Sequence, residues 1–149
     1  DNGSGTAPSG APLGTGTDLG LALDYLNHVQ RRRAVCFLLS DFQARDFRKP
    51  LRVAGKRHDL VALSVRDPRE SELPAVGLVE LRDAETGERA MVDTFDREVR
   101  EAFASQAKAR VENLRQLFHS TAVDQVDIRT DADYMQPLIK FFRMRERRM

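Results

Sequence analysis

Apolar residues recur at helical spacing through Leu19, Ala22, Leu23, Leu26 and Val29, which predicts a helix entered near Thr15 to Leu19. Thr17 is placed to cap it, Asp18 falls in its first turn, and Arg31 to Arg33 complement its negative end. The period then changes. Ala34 to Leu39 is an unbroken apolar run closed by Ser40 and Asp41, as expected of a strand covered on both faces of a parallel sheet. Phe47, Leu51, Val53 and Ala54 give a short amphipathic helix interrupted by Pro50. Asp59 to Val65 reads as a second buried strand, stopped by Arg66-Asp67-Pro68.

Farther on, Leu78 to Arg82 and Arg89 to Val92 flank Glu85-Thr86-Gly87-Glu88 and predict a β-hairpin. A long helix follows from about Asp96 to His119, with Val99, Phe103, Ala107, Val111, Leu114 and Phe118 on its apolar face. Val126 to Arg129 is a third short core strand. A last helix carries Leu138, Phe141 and Phe142 and ends in the basic run Arg143 to Arg148. Strands alternating with helices imply an α/β fold: a three-layer, mostly parallel sheet with an inserted β-hairpin. Residues 1–16 hold five of the nine glycines and two prolines and are expected to form a flexible loop or arm, leaving 17–149 as the folded part.

Composition narrows the function classes. In 149 residues, 41% hydrophobic and 32% charged side chains describe a soluble globular chain. The 24 basic against 23 acidic residues call for neither nucleic acid nor an anionic membrane. No apolar run is long enough to span a bilayer, and a cytoplasmic location is expected. Cys36, the one cysteine, permits no intrachain disulfide, fits a reducing compartment, and sits in an apolar run as a small core residue.

In an open parallel sheet, ligands bind beyond the carboxyl ends of the strands, and Asp41 stands at such an end. Thr17 opens the preceding helix, whose N-terminus could reach the same rim. A hydroxyl and a carboxylate are hard oxygen donors suited to Mg²⁺, Ca²⁺ or Mn²⁺. The plainer readings are a helix cap and a turn residue. Asp41 could instead be the nucleophile of a phosphohydrolase-like enzyme, but Asp41-Phe42-Gln43 puts no second carboxylate two residues on. Gly14-Thr15-Gly16-Thr17 is a weak likeness of a phosphate loop, without its Gly-Lys-Thr ending. His28, His58 and His119 are scattered without ligand spacing. The basic tail offers a nucleic-acid-binding alternative, although cations at a helix C-terminus ordinarily complement its dipole.

Gly16 to Leu23, Phe37-Leu38-Leu39-Ser40-Asp41-Phe42, His58 to Leu63, Glu72 to Leu78, Asp83-Ala84-Glu85-Thr86-Gly87 and Arg129 to Tyr134 form an ordered series. It resembles the C-terminal half of the bacterial domain-of-unknown-function family fifty-eight, which is similar to von Willebrand factor A domains. The resemblance runs from Thr17 nearly to the end. It implies a doubly wound sheet with a metal-ion-dependent adhesion site, in which one loop gives Asp-x-Ser-x-Ser, a second a threonine and a third an aspartate. Thr17 matches the second and Asp41 the third. Asp-x-Ser-x-Ser is absent from these residues, and the resemblance places it on a first strand upstream of residue 1.

The implied function is a non-enzymatic protein-interaction module. Such proteins are associated with MoxR-type AAA+ ATPases and assist assembly or regulation of protein complexes. Two protein oxygens fall short of the six to eight ligands that hard divalent ions take, so metal is expected only in the complete site. Without the first strands the Ala34–Leu39 strand is expected to be an apolar edge through which the chain self-associates.

Overall fold

A computed structural model of the chain describes residues 18–44, 46–82 and 87–147. The elements follow the hydrophobic pattern. Helix α1 spans Leu19–Val29, strand β1 Val35–Ser40, helix α2 Arg48–Arg57 and strand β2 Asp59–Arg66. The hairpin strands β3 (Leu78–Arg82) and β4 (Arg89–Asp93) come next, then helix α3 (Arg97–Ser120), strand β5 (Asp124–Arg129) and helix α4 (Met135–Glu146). The main sheet has the order β1-β2-β5 and is parallel throughout, with Val35 opposite Asp59 and Val61 opposite Asp124. The hairpin is a separate antiparallel pair. The α/β class, the parallel sheet and the hairpin are as expected.

Alternation along β2 divides the core in two. Leu60 and Ala62 face one side, where Leu19 and Leu23 of α1, Leu51 and Ala54 of α2, and Phe118 of α3 close over them. Val61 faces the other side, with Val126 of β5 and Phe141 of α4. The sheet is therefore the middle of three layers. Burying the three β2 side chains completely contributes several kcal/mol at about 1.5–3 kcal/mol for each large residue.

β1 is the outermost of the described strands, the edge position expected of Ala34–Leu39, but it is not covered on both faces. Cys36 and Leu38 are half-buried against the first core, while Val35, Phe37 and Leu39 are at least half exposed. The pattern of apolar residues on both sides is real, but no described element lies over the second side beyond the edge of α4. There Phe142 meets Phe37 with ring centroids 6.1 Å apart.

Smaller differences have local causes. Asp18, rather than Thr17, caps α1, its carboxylate accepting the Leu21 N–H at 2.8 Å. Thr17 and the arm at 1–16 lie outside the described residues. Pro50 does not interrupt α2; it sits in the first turn, where its missing N–H has no intrahelical acceptor to lose. β5 begins two residues before Val126. The base of the hairpin is closed by Thr94, fully buried. Its Oγ1 accepts the Val76 and Gly77 N–H groups at 2.9 and 3.0 Å and donates to the Gly77 carbonyl at 2.7 Å.

Candidate functional site at the carboxyl rim

Asp41 follows the last residue of β1 and is exposed at the carboxyl end of the sheet. Its placement is fixed by a short chain of local bonds. Asp41 Oδ1 accepts the Gln43 N–H at 3.1 Å and the Ser40 hydroxyl at 3.5 Å, and Ser40 Oγ accepts the Phe42 N–H at 3.0 Å. These are side-chain turns of the kind that Asp and Ser form after a strand.

The loop from 41 to 47 carries an unusual backbone. Phe42 has φ 55° and Asp46 φ 58°, both in the left-handed region that disfavours a bulky side chain. Phe42 is held there by its ring, which is buried. It lies edge-on to Phe118, centroids 4.9 Å apart, and tilted against Phe47 at 5.9 Å. The reversal at Phe42 sends the aromatic ring into the core and leaves Asp41 outside. Strained non-glycine residues gather at binding sites, which gives the loop functional interest.

The N-terminal turn of α1 lies against the same loop. A side chain at Gly20 would stand 3.3 Å from the Asp46 carbonyl oxygen, so the contact admits only glycine without adjustment. The helix end that Thr17 precedes thus abuts the loop that carries Asp41. Thr17 itself falls outside the described residues, and the distance between the two predicted ligands with it, as does the Gly14–Thr17 stretch.

Beneath the rim, Ser64 of β2 pairs in register with Ser40 and is 1% exposed. Its hydroxyl finds no hydrogen-bond partner among the described residues. A buried hydroxyl without a partner costs about 1–3 kcal/mol, so this position favours anything that brings it a partner. Nothing in the sequence pattern distinguished Ser64 from its apolar neighbours.

Two other carboxylates near the rim are engaged, as Asp41 is, in local hydrogen bonds. Asp67 caps the 3-10 turn at Pro68–Glu70 by accepting the Arg69 N–H. Asp131 takes a two-pronged hydrogen bond from Arg129 at 2.7 and 2.9 Å. The hydrogen bond to Arg129 holds the Asp131 carboxyl below its usual range, and the same bond raises the guanidinium. Among the described residues no three His, Cys, Asp or Glu side chains come together as a metal cluster. Asp41 with the Ser40 hydroxyl is right in kind for a hard cation and short in number.

The remaining candidates are structural. Burial, then the Asp59 charge, pushes the Cys36 thiol up, so it stays protonated and unreactive at neutral pH. His28 and His119 are exposed in the last turns of α1 and α3. His58 ends α2 and is buried, with neither ring nitrogen hydrogen-bonded among the described residues. In the basic tail, Arg145 is ion-paired with Asp59 and with Asp124 at 3.7 Å, and its guanidinium lies over the Phe141 ring. It locks α4 to the sheet. None of the described helices is long and apolar enough to cross a membrane.

The chain is 36% identical to an uncharacterized protein of Mycobacterium avium over 138 residues, 92% of this chain and 81% of that relative. It is 36% identical over 140 residues to uncharacterized proteins of Mycobacterium tuberculosis and Mycobacterium bovis, where it spans 43% of their length. No solved structure is significantly similar. The family model described as protein of unknown function DUF58 matches residues 6–113, and the chain belongs to that family.

Proposed function

We propose that this chain is a non-enzymatic protein-interaction module whose contact point is the carboxyl rim around Asp41. The observation that carries the reading is the β1–α2 loop. It presents the exposed Asp41 carboxylate, in no ion pair among the described residues, next to the buried Phe42 ring and near the N-terminus of α1. An exposed carboxylate held by local hydrogen bonds is suited to recognition, because little entropy is lost when a partner docks.

In this reading Asp41 and Thr17 contribute oxygen ligands to a divalent cation, Mg²⁺ or alternatively Ca²⁺ or Mn²⁺, with a partner's carboxylate and water completing the shell. Ser40 supplies a hydroxyl next to it. The resemblance to von Willebrand factor A-like proteins suggests a MoxR-type AAA+ ATPase as partner, a role in assembly or regulation of protein complexes, and a cytoplasmic setting. The phosphohydrolase reading stands behind it, because Asp41-Phe42-Gln43 puts no second carboxylate two residues on.

Weak metal binding is best detected by paramagnetic broadening. On titration with Mn²⁺, the amides of 41–43 and of the first turn of α1 are expected to broaden first, with an affinity of about 10⁻³ M for a site this short of ligands. Asp41→Ala and Thr17→Ala should each abolish the effect. Broadening that survives both substitutions, or that never centres on this rim, overturns the metal reading.

A further inference from the structure

The strands of the main sheet all start at one end, because β1, β2 and β5 run parallel from Val35, Asp59 and Asp124. Exposed cations gather at that end from three separate parts of the chain. Arg31-Arg32-Arg33 leads into β1, and Lys56 with Arg57 closes α2 just before β2. Arg57 donates to the Asn27 carbonyl, which ties the α2 cations to the end of α1. α4 is brought to the same pole by Arg145, which pairs with the first residues of β2 and β5, Asp59 and Asp124. Its exposed neighbours Arg143 and Arg147 come with it. Within these stretches and strand starts, eight Lys and Arg side chains stand against three carboxylates, Asp59, Asp124 and Glu146.

Helix dipoles do not absorb this surplus. The four α-helices all end at this pole, and each C-terminus carries about half a negative charge, so together they offset about two cations of the surplus. The chain as a whole has a net charge of only +1. Its balanced composition therefore conceals a cationic pole opposite the carboxyl rim.

We infer that this pole docks on an anionic lipid surface, its arginines taking the headgroup phosphates. A cluster of this size suffices for such a surface, each cation near it contributing about fivefold in affinity. The residues between the cations select a bilayer over a nucleic acid. Val29 and Met144 stand among them, each about half exposed, and apolar side chains beside cations enter the headgroup layer. No aromatic residue able to stack on a base lies within 29–35, 56–57 or 143–147. The pole is also built of helix C-termini, whereas helices that read a DNA groove lead with the N-terminus. Docked in this way, the molecule turns the rim and Asp41 away from the membrane.

Vesicle flotation of the whole chain in EDTA, where no divalent cation can bridge Asp41 to lipid, tests this apart from the metal reading. The vesicles are phosphatidylcholine, with or without about one-third phosphatidylserine. Binding to the anionic vesicles is expected at about 0.05 M salt and release at about 0.5 M, with none to the neutral ones. Arg32→Glu with Arg33→Glu should weaken binding at least about 25-fold, and so should Arg143→Glu with Arg147→Glu on a different element. Arg48→Glu with Lys49→Glu changes the net charge equally at the rim end of α2 and should cost less than about threefold. Circular dichroism of each variant checks that the fold is kept. No flotation at low salt, equal binding to neutral vesicles, or an equal loss in all the variants overturns the proposal. So does tighter binding to duplex DNA at equal phosphate concentration.

Discussion

At the scale of single residues, Phe42 decides more than its neighbour Asp41. A left-handed φ costs a bulky residue about 1–2 kcal/mol, while burying a phenyl ring in contact with two others returns more than that. The ring wins, and the loop takes the one shape that puts it inside. Phe42→Ala keeps the strain and loses the ring, so it is expected to lower stability by about 3 kcal/mol in urea denaturation. A loss under about 1 kcal/mol would mean that the loop is held some other way. Asp41 was legible because an acidic residue after an apolar run marks a strand end. Phe42 was not, since a positive φ is ordinarily announced by Gly or Asn. Ser64 was hidden for the opposite reason: it occupies a core position that its residue type does not suggest.

Among the elements, spacing foretold type and order, and local chemistry shifted the ends. The capping residue of α1 is Asp18 where Thr17 stood equally well by composition. Pro50, the expected break, falls where a helix tolerates proline. Gly55 near the end of α2 shows how tertiary contact overrides propensity. On an exposed helix, Gly→Ala gains about 1 kcal/mol. Here a methyl group at Gly55 would stand 2.7 Å from the Thr121 carbonyl oxygen and 3.2 Å from Val123 Cγ2. A backbone oxygen cannot rotate aside, and its turn is pinned by the Thr121 hydroxyl, which donates to the Leu117 carbonyl at 2.8 Å. Gly55→Ala is therefore expected to destabilise by about 1–3 kcal/mol, seen as a lower thermal midpoint. A raised midpoint would show that α2 and the α3–β5 turn can separate freely.

For the molecule as a whole, the sheet was legible from its continuous apolar runs, but the order of its strands was not legible from those runs. β1 and β2 read almost alike as apolar runs; the edge position of β1 came from the resemblance, and the central place of β2 from the structure. Burial depends on what stands opposite, and no run of residues records that. The same asymmetry predicts an uneven distribution of stability. β2 is paired on both sides between two cores, whereas β3 and β4 pair only with each other and expose Leu78 and Met91. In native-state hydrogen exchange, amides of 61–65 should be the slowest, and those of the hairpin at least about a hundredfold faster. Equal protection in both regions would place the hairpin inside the main cooperative unit.

The register of β2 against β5 joins Val61 to Asp124, positions separated by the entire hairpin and the longest helix. Contacts so distant along the chain close late, because the entropy of the intervening loop is lost before the pairing rewards it. During synthesis from the N-terminus, β1 and β2 with α1 and α2 can assemble as soon as residue 66 is free. The outer side of β2 then waits, apolar and unpaired, until residues 124–129 emerge. α4 follows immediately and seals it with Phe141 and the Arg145 lock. Among the described elements α4 therefore covers this side of β2 last in chain order, and loss of its final turns would leave the sheet open where it is most prone to wrong pairing.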